Sequence, residues 1–301
     1  MRIMAENNFS SDDVDFDKVE EKTMAAMGIL KTLDSLILSV ETSPAIILEI
    51  EQVVAPILCF VLDNAILDLY EETFEMIGTI LFCVKQVSPT MWSIFPRIYK
   101  TFKTDALEYL EEMLPSLDNF IAYGKNVFLT DPEKQHQLID IVFTVMNDAD
   151  SREADRIRGI QLIESMMLNL RGQIDPIIPK FVEMAYHALN KKIKTAPYRV
   201  HCIEIVLNAI YYNPLMTLQL LEQASWTNRF FELWFTNIEN FPRVHDKKLS
   251  ILSLCALLEI PLDKLPPSLQ TMWPPLFDAL LKVFATYKSA LDGLFFLLFI
   301  R

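Results

Sequence analysis

Glu133 and His136 stand at the Glu-x-x-His spacing with which helix bundles hold a di-iron pair. That chemistry needs a second such pair and two further inward carboxylates, and no second pair exists. Both residues follow Pro132 in what reads as the first turn of a helix, a place normally solvated. His201 and Cys202 are adjacent, so on a helix they leave on different sides and form neither a dyad nor a ligand pair. Glu71 and Glu75 lie four apart on one helix face, as general acid and base could. Carboxylates at a helix start are also favoured by the helix dipole, which needs no pocket to explain them. There is no G-x-S-x-G, Walker loop or G-x-G-x-x-G. We therefore assign no catalytic, cofactor-binding or metal-ligating residue, and read the chain as a binding protein rather than an enzyme.

The charged residues carry the stronger functional signal. Of the net charge of −13, nearly all falls in residues 1–75, which hold 16 acidic and 4 basic residues. Such a field disfavours nucleic acid and anionic membrane and attracts basic partners. Its densest part is DDVDFDKVEE at 12–21. Two readings of Asp12, Asp13, Asp15, Asp17, Glu20 and Glu21 stay open: a solvated helix entry, or an interaction tail for basic proteins. The small basic clusters, 191–194, Arg152/Arg156/Arg158 and Arg243 with Lys247/Lys248, read as solvated faces, the second laced with Glu153 and Asp155.

The elements that position these residues are helices. Only 6 glycines occur in 301 residues, where hairpins and phosphate loops would need many more. In YEETFEMIGTILFCV, Tyr70, Phe74, Ile77, Leu81 and Val84 recur at i, i+4, i+7, i+11 and i+14. Trp92, Phe95 and Tyr99 keep the same rhythm and read as core. Five helix-starting pairs, Ser43-Pro44, Ser88-Pro89, Asp131-Pro132, Asp175-Pro176 and Asn213-Pro214, follow at spacings of 45, 43, 44 and 38. Each proline succeeds a residue of the N-cap set and suits the first helical position.

A period of about 40–47 residues holding two helices is the signature of HEAT or armadillo-type repeats. First helices are predicted at 16–41, 66–86, 105–123, 152–170 and 197–212, and second helices at 44–62, 89–103, 132–147, 176–190 and 214–223. Further helices follow at 226–240, 245–260 and 268–288. The fold class is all-α, a HEAT-repeat superhelical solenoid, with about six helical pairs across 15–288. Residues 1–14 read as an acidic disordered lead, and 289–301 as an atypical apolar tail. The four cysteines, at 59, 83, 202 and 255, have no close pair and read as reduced thiols of a cytosolic or nuclear protein. The apolar run 44–62 holds Glu49, Glu51 and Pro56 and makes a poor membrane span.

Several segments resemble one receptor family. DKVEEKTMAAMGILKTLDSLILSVE (17–41), LDLYEETFEMIGTILFCVKQVSPTMW (67–92), RGQIDPIIPKFVEMA (171–185), AIYYNPLMTLQLLE (209–222) and HDKKLSILSLCALLE (245–259) are similar to importin-β-superfamily receptors of the importin seven/eight type. The resemblance implies a nuclear import receptor shuttling between nucleus and cytoplasm through the pore. It implies basic cargo, such as ribosomal proteins and histones, and FG nucleoporins as partners. Ran GTPase would bind N-terminal repeats upstream of Met1, so the chain would be the C-terminal third of a longer receptor. Neither nucleic acid nor membrane is implied as a partner, and no point-like site carries over. The ending DGLFFLLFIR (292–301) departs from the family's polar ending. The alternative is a HEAT scaffold that assembles a cytosolic complex without transport. A small-molecule enzyme is a third reading, for which the sequence supplies no converging titratable groups.

Overall fold

The computed structural model describes residues 16–104, 107–270 and 273–299, and among these there is no strand. The chain divides into two units, Met1–Ser151 and Arg152–Arg301. The first holds α1 (Phe16–Ser39), α2 (Pro44–Asp63), α3 (Tyr70–Val84), α4 (Pro89–Thr104), α5 (Leu110–Tyr123), α6 (Lys125–Thr130) and α7 (Pro132–Asn147). The second holds α8 (Glu153–Asn169), α9 (Ile178–Leu189), α10 (Ala196–Tyr212), α11 (Pro214–Gln223), α12 (Thr227–Asn237), α13 (Val244–Leu258), α14 (Pro267–Gln270) and α15 (Trp273–Phe299). The acidic lead at 1–14 lies outside the described residues. In its backbone, the stretch from 289 to 299 continues α15 without a break at 288.

Four of the five marked prolines open helices as predicted: Pro44, Pro89, Pro132 and Pro214. Their predecessors cap in three cases. Ser88 Oγ accepts from Met91 N at 3.0 Å, Asp131 from the amides of Glu133 and Lys134, and Asn213 from Met216 N at 3.1 Å. Ser43 makes no side-chain cap bond. Pro176 is the exception, because α9 begins two residues later, at Ile178. Asp175 is occupied instead by the Tyr212 hydroxyl, which donates to it across one period.

Within the first unit, first helices stack in a row: α1 packs on α3, and α3 on α5. α2 packs on α3 and α4, and α4 on α7. By length and composition α2 could cross a membrane, but Ile47, Glu51, Val54, Leu58 and Val61 bury against these neighbours. In the second unit α8, α10, α13 and α15 form the corresponding row, with α9 and α11 against α10. α10 is buried on nearly every side, as befits a helix with neighbours all round.

The repeat is also written in polar bonds. Ser116 Oγ donates to Phe74 O at 2.7 Å, and Asn119 Nδ2 to Gly78 O at 2.9 Å. Tyr99 and Lys103 both donate to Asp140, and Arg171 to the carbonyls of Tyr211 and Tyr212. Glu153 accepts from the amides of Lys194 and Thr195 at 2.8 Å, tying the turn before α10 to a neighbouring helix. Each bond spans 37 to 42 residues, about one helical pair.

Helices end with little help from glycine. Ala65, Lys85 and Ser225, with φ of 50–57°, take the left-handed turn, as Gly172 does at φ 80°. Gly124 serves close approach instead. A Cβ there would stand 2.4 Å from both Trp92 Cζ2 and Phe120 O. Trp92 meets Phe95, Phe120 and Phe128 at ring-centroid distances of 5.3–5.8 Å, which locks α4 to α5 and α6. Gly124→Ala is expected to destabilise by about 1–3 kcal/mol through overpacking, seen as a lower denaturant midpoint with altered tryptophan fluorescence.

Candidate functional site

Of the acidic block, Asp12, Asp13 and Asp15 lie outside the described residues, and Asp17 falls in the first turn of α1. Glu20 and Glu21 are exposed near the start of α1. Glu133 and His136 are exposed in the first turn of α7, where Glu133 accepts from Gln137 Nε2 at 3.0 Å. No group of three or more histidine, cysteine or acidic side chains is placed to hold a metal ion among the described residues. Cys202 is buried, and burial pushes its thiol up to about 12, which removes it as a nucleophile.

The acids at the start of α3 are more than a solvated entry. Glu71 and Glu75 line a groove of about 480 Å³ with Leu38 of α1, Gly78, Thr79 and Phe82 of α3, and Glu112, Pro115 and Asn119 of α5. Glu72 is 2% exposed and meets Lys31 Nζ at 3.3 Å, with neither oxygen in hydrogen-bond alignment. Asp34, one turn before Leu38, is 8% exposed and its Oδ1 has no partner. Glu112 Oε2 is likewise sealed and unpaired. Partial desolvation first, then the charges of Asp34 and Glu71, raise the Glu75 carboxyl above its usual range, against the pull of Lys31. Asp34 and Glu112 escape the helical-face reading of α3 because they come from its two neighbours, one period away on either side.

The second unit buries a polar stripe. His201, Glu204 and Asn208 fall at i, i+3 and i+7 on α10 and face α8 and α13. Arg243 grips Glu204 with Nη2, at 3.0 and 2.8 Å to the two oxygens, and Asp246 with Nε at 2.6 Å. Asp246 also accepts from Arg243 N, closing a capping box at the start of α13. Asn208 Nδ2 donates to Glu164 at 3.2 Å, and His245 Nε2 bonds the same carboxylate.

Burial, then the neighbouring Asp246, raises the Glu204 carboxyl above the carboxylate range, against the charge of Arg243. Burial likewise pushes His201 down to about 4 and keeps it neutral. Its Nδ1 stands 2.9 Å from Glu204 Oε2 without hydrogen-bond alignment. Burial favours the neutral acid of Glu164, but the hydrogen bond and charge of His245 outweigh it and hold that carboxyl low.

Coupled carboxylates beside histidine and arginine could perform acid–base chemistry if a substrate reached them. Glu204 and Asp246 are both 0% exposed, so the cluster acts as an internal clasp. Its sequence trace is Arg-x-x-Asp at 243–246, repeated at 152–155, where Arg152 and Asp155 form the same box.

Arg243→Met would strand Asp246 without its cation and is expected to cost about 3 kcal/mol or more. Arg97→Ala, removing an exposed partner of Asp63, should cost less than about 1 kcal/mol by the same denaturant titration. Between its unfolded value near 6.5 and about 4, His201 refuses a proton that the unfolded chain accepts. This part of the stability is therefore present above pH 6.5 and lost on acidification. His201→Gln should flatten the wild-type loss between those limits by up to about 3 kcal/mol, read from unfolding midpoints at stepped pH.

Residues 27–293 match the family model described as Importin-11-like, TPR repeats. The chain is 29% identical over 286 residues to Importin-8 of Mus musculus and to Importin-8 of Homo sapiens. It is 26% identical over 294 residues to Importin beta-like SAD2 homolog of Arabidopsis thaliana. These alignments cover 91–92% of this chain but only 27–28% of each relative. No solved structure matches the chain significantly. A family match across most of the helical rows agrees with the segment resemblances: the chain belongs to the importin-β family.

Proposed function

We propose that this chain is part of a nuclear import receptor that binds basic protein cargo, such as ribosomal proteins and histones, and FG nucleoporins. The observation that supports the reading best is family membership over residues 27–293, with relatives named as importins. The charge agrees with it, since an acidic excess concentrated in residues 1–75 steers basic partners. In this reading residues 15–288 carry one repeat series of about six helical pairs. The chain works by binding, without catalysis, in nucleus and cytoplasm and at the pore. Ran GTPase is a partner of the whole receptor through its N-terminal repeats.

The acidic block supplies the first cargo contact: Asp12, Asp13, Asp15, Asp17, Glu20 and Glu21 present six carboxylates in ten residues. Charge attraction of this kind acts on association and weakens with ionic strength. Changing all six to Asn or Gln should weaken binding of a purified histone by roughly tenfold or more at low salt, and by less at ~0.15 M. Isothermal titration at both salts checks this. Equal affinity of the two proteins would remove the block from cargo binding, and a salt-independent affinity would remove charge steering.

A further inference from the structure

We propose that the groove between α1, α3 and α5 is a docking site for a basic segment of a protein partner, one in which lysine or arginine alternates with an apolar residue. This deepens the import-receptor reading and rests on it for the class of partner. The walls carry both halves of the complement. Leu38 and Phe82, 45% and 51% exposed, offer apolar surface to the occupant. Glu71, Glu75 and Glu112 present carboxylates around them. Asp34 and Glu72 reinforce the field from behind, against the Lys31 ammonium, which already meets Glu72.

The buried carboxylate oxygens point to a cation. Asp34 Oδ1, both Glu72 oxygens and Glu112 Oε2 lie sealed without a hydrogen-bond donor. Unpaired carboxylate oxygens held out of water deepen the negative potential over the groove, which a cationic side chain seated there would offset. Glu75 is faced by Asp34 and Lys31 of α1, by Glu71 and Glu72 of its own helix and by Glu112 of α5; partial desolvation first, then Asp34, Glu71 and Glu72, raise its carboxyl, and a bound cation would pull it back down. A neutral Phe-Gly segment would satisfy Leu38 and Phe82 but leave these carboxylates as they are. The floor is rigid, held by Ser116 and Asn119 donating to the carbonyls of Phe74 and Gly78, so the site exists before a partner arrives.

The test uses the full chain and a labelled peptide, Gly-Lys-Leu-Arg-Lys-Leu-Gly, followed by fluorescence anisotropy at ~0.05 M and ~0.15 M salt. Glu71→Gln/Glu75→Gln/Glu112→Gln should raise its Kd by roughly tenfold or more. Phe82→Ser should raise it several-fold with unchanged salt dependence, while Glu183→Gln/Glu232→Gln, exposed acids of the second unit, should leave it nearly unchanged. Affinity should fall on acidification through the raised Glu75 range. Circular dichroism of each variant should match the parent. An unchanged Kd in the triple variant overturns the proposal. So does a Phe-Gly peptide that binds as tightly as the basic one, or an equal loss from the Glu183/Glu232 pair, which would reduce the groove to a general field. Histone binding run in parallel separates the two ideas. Histone bound with the groove variants inert removes the groove and spares the receptor reading. Peptide bound at the groove while histone is ignored does the reverse.

Discussion

A pair of amphipathic helices leaves one apolar flank open, so within each unit a pair depends on the next. The dependence shows in bonds as well as in packing. Side chains on one helix reach backbone or carboxylate groups about one period away, as Ser116 does to Phe74, Tyr99 to Asp140 and Arg171 to Tyr212. The spacing of roughly forty residues sits in the HEAT and armadillo range and above the 34 of tetratricopeptide repeats. Apolar stacking gives each unit its core, and the cross-period bonds set how far one helix slides along another.

The same constraint explains where the ionisable groups went. A row of first helices brings equivalent faces together, so acids and bases from successive repeats meet at the seams. In the second unit the seam is closed: Glu204, Asp246 and Arg243 satisfy one another, and His201 stays neutral beside them. In the first unit the seam is open, and Glu71, Glu75 and Glu112 stand around a groove with buried oxygens unsatisfied. One arrangement holds helices together, and the other leaves carboxylates around an open groove.

Helix limits were legible because prolines behind residues of the N-cap set announce them: Pro44, Pro89, Pro132 and Pro214 open α2, α4, α7 and α11 where the spacing places them. Asp175-Pro176 misleads because its acid has a distant partner in Tyr212, a competitor that local sequence does not display. α6 was not legible. Six residues carry too little periodicity, and its place is set by Phe128 entering the cluster around Trp92. Prolines inside α2, α4 and α5 show the same ambiguity, since Pro56, Pro96 and Pro115 do not end their helices. The groove was half legible: Glu71 and Glu75 share a face in the sequence, but Asp34 and Glu112 join them only through the stacking of neighbouring repeats.

The near-constant reach of the cross-helix bonds bears on how such a chain can change length. Excising one whole hairpin rejoins like surfaces, with each donor facing the counterpart of its former acceptor. Excising half a hairpin sets a first helix where a second belongs and turns its oily flank to water. Descendants of this architecture should therefore shrink and grow in quanta of one hairpin, with ragged insertions confined to the connecting turns.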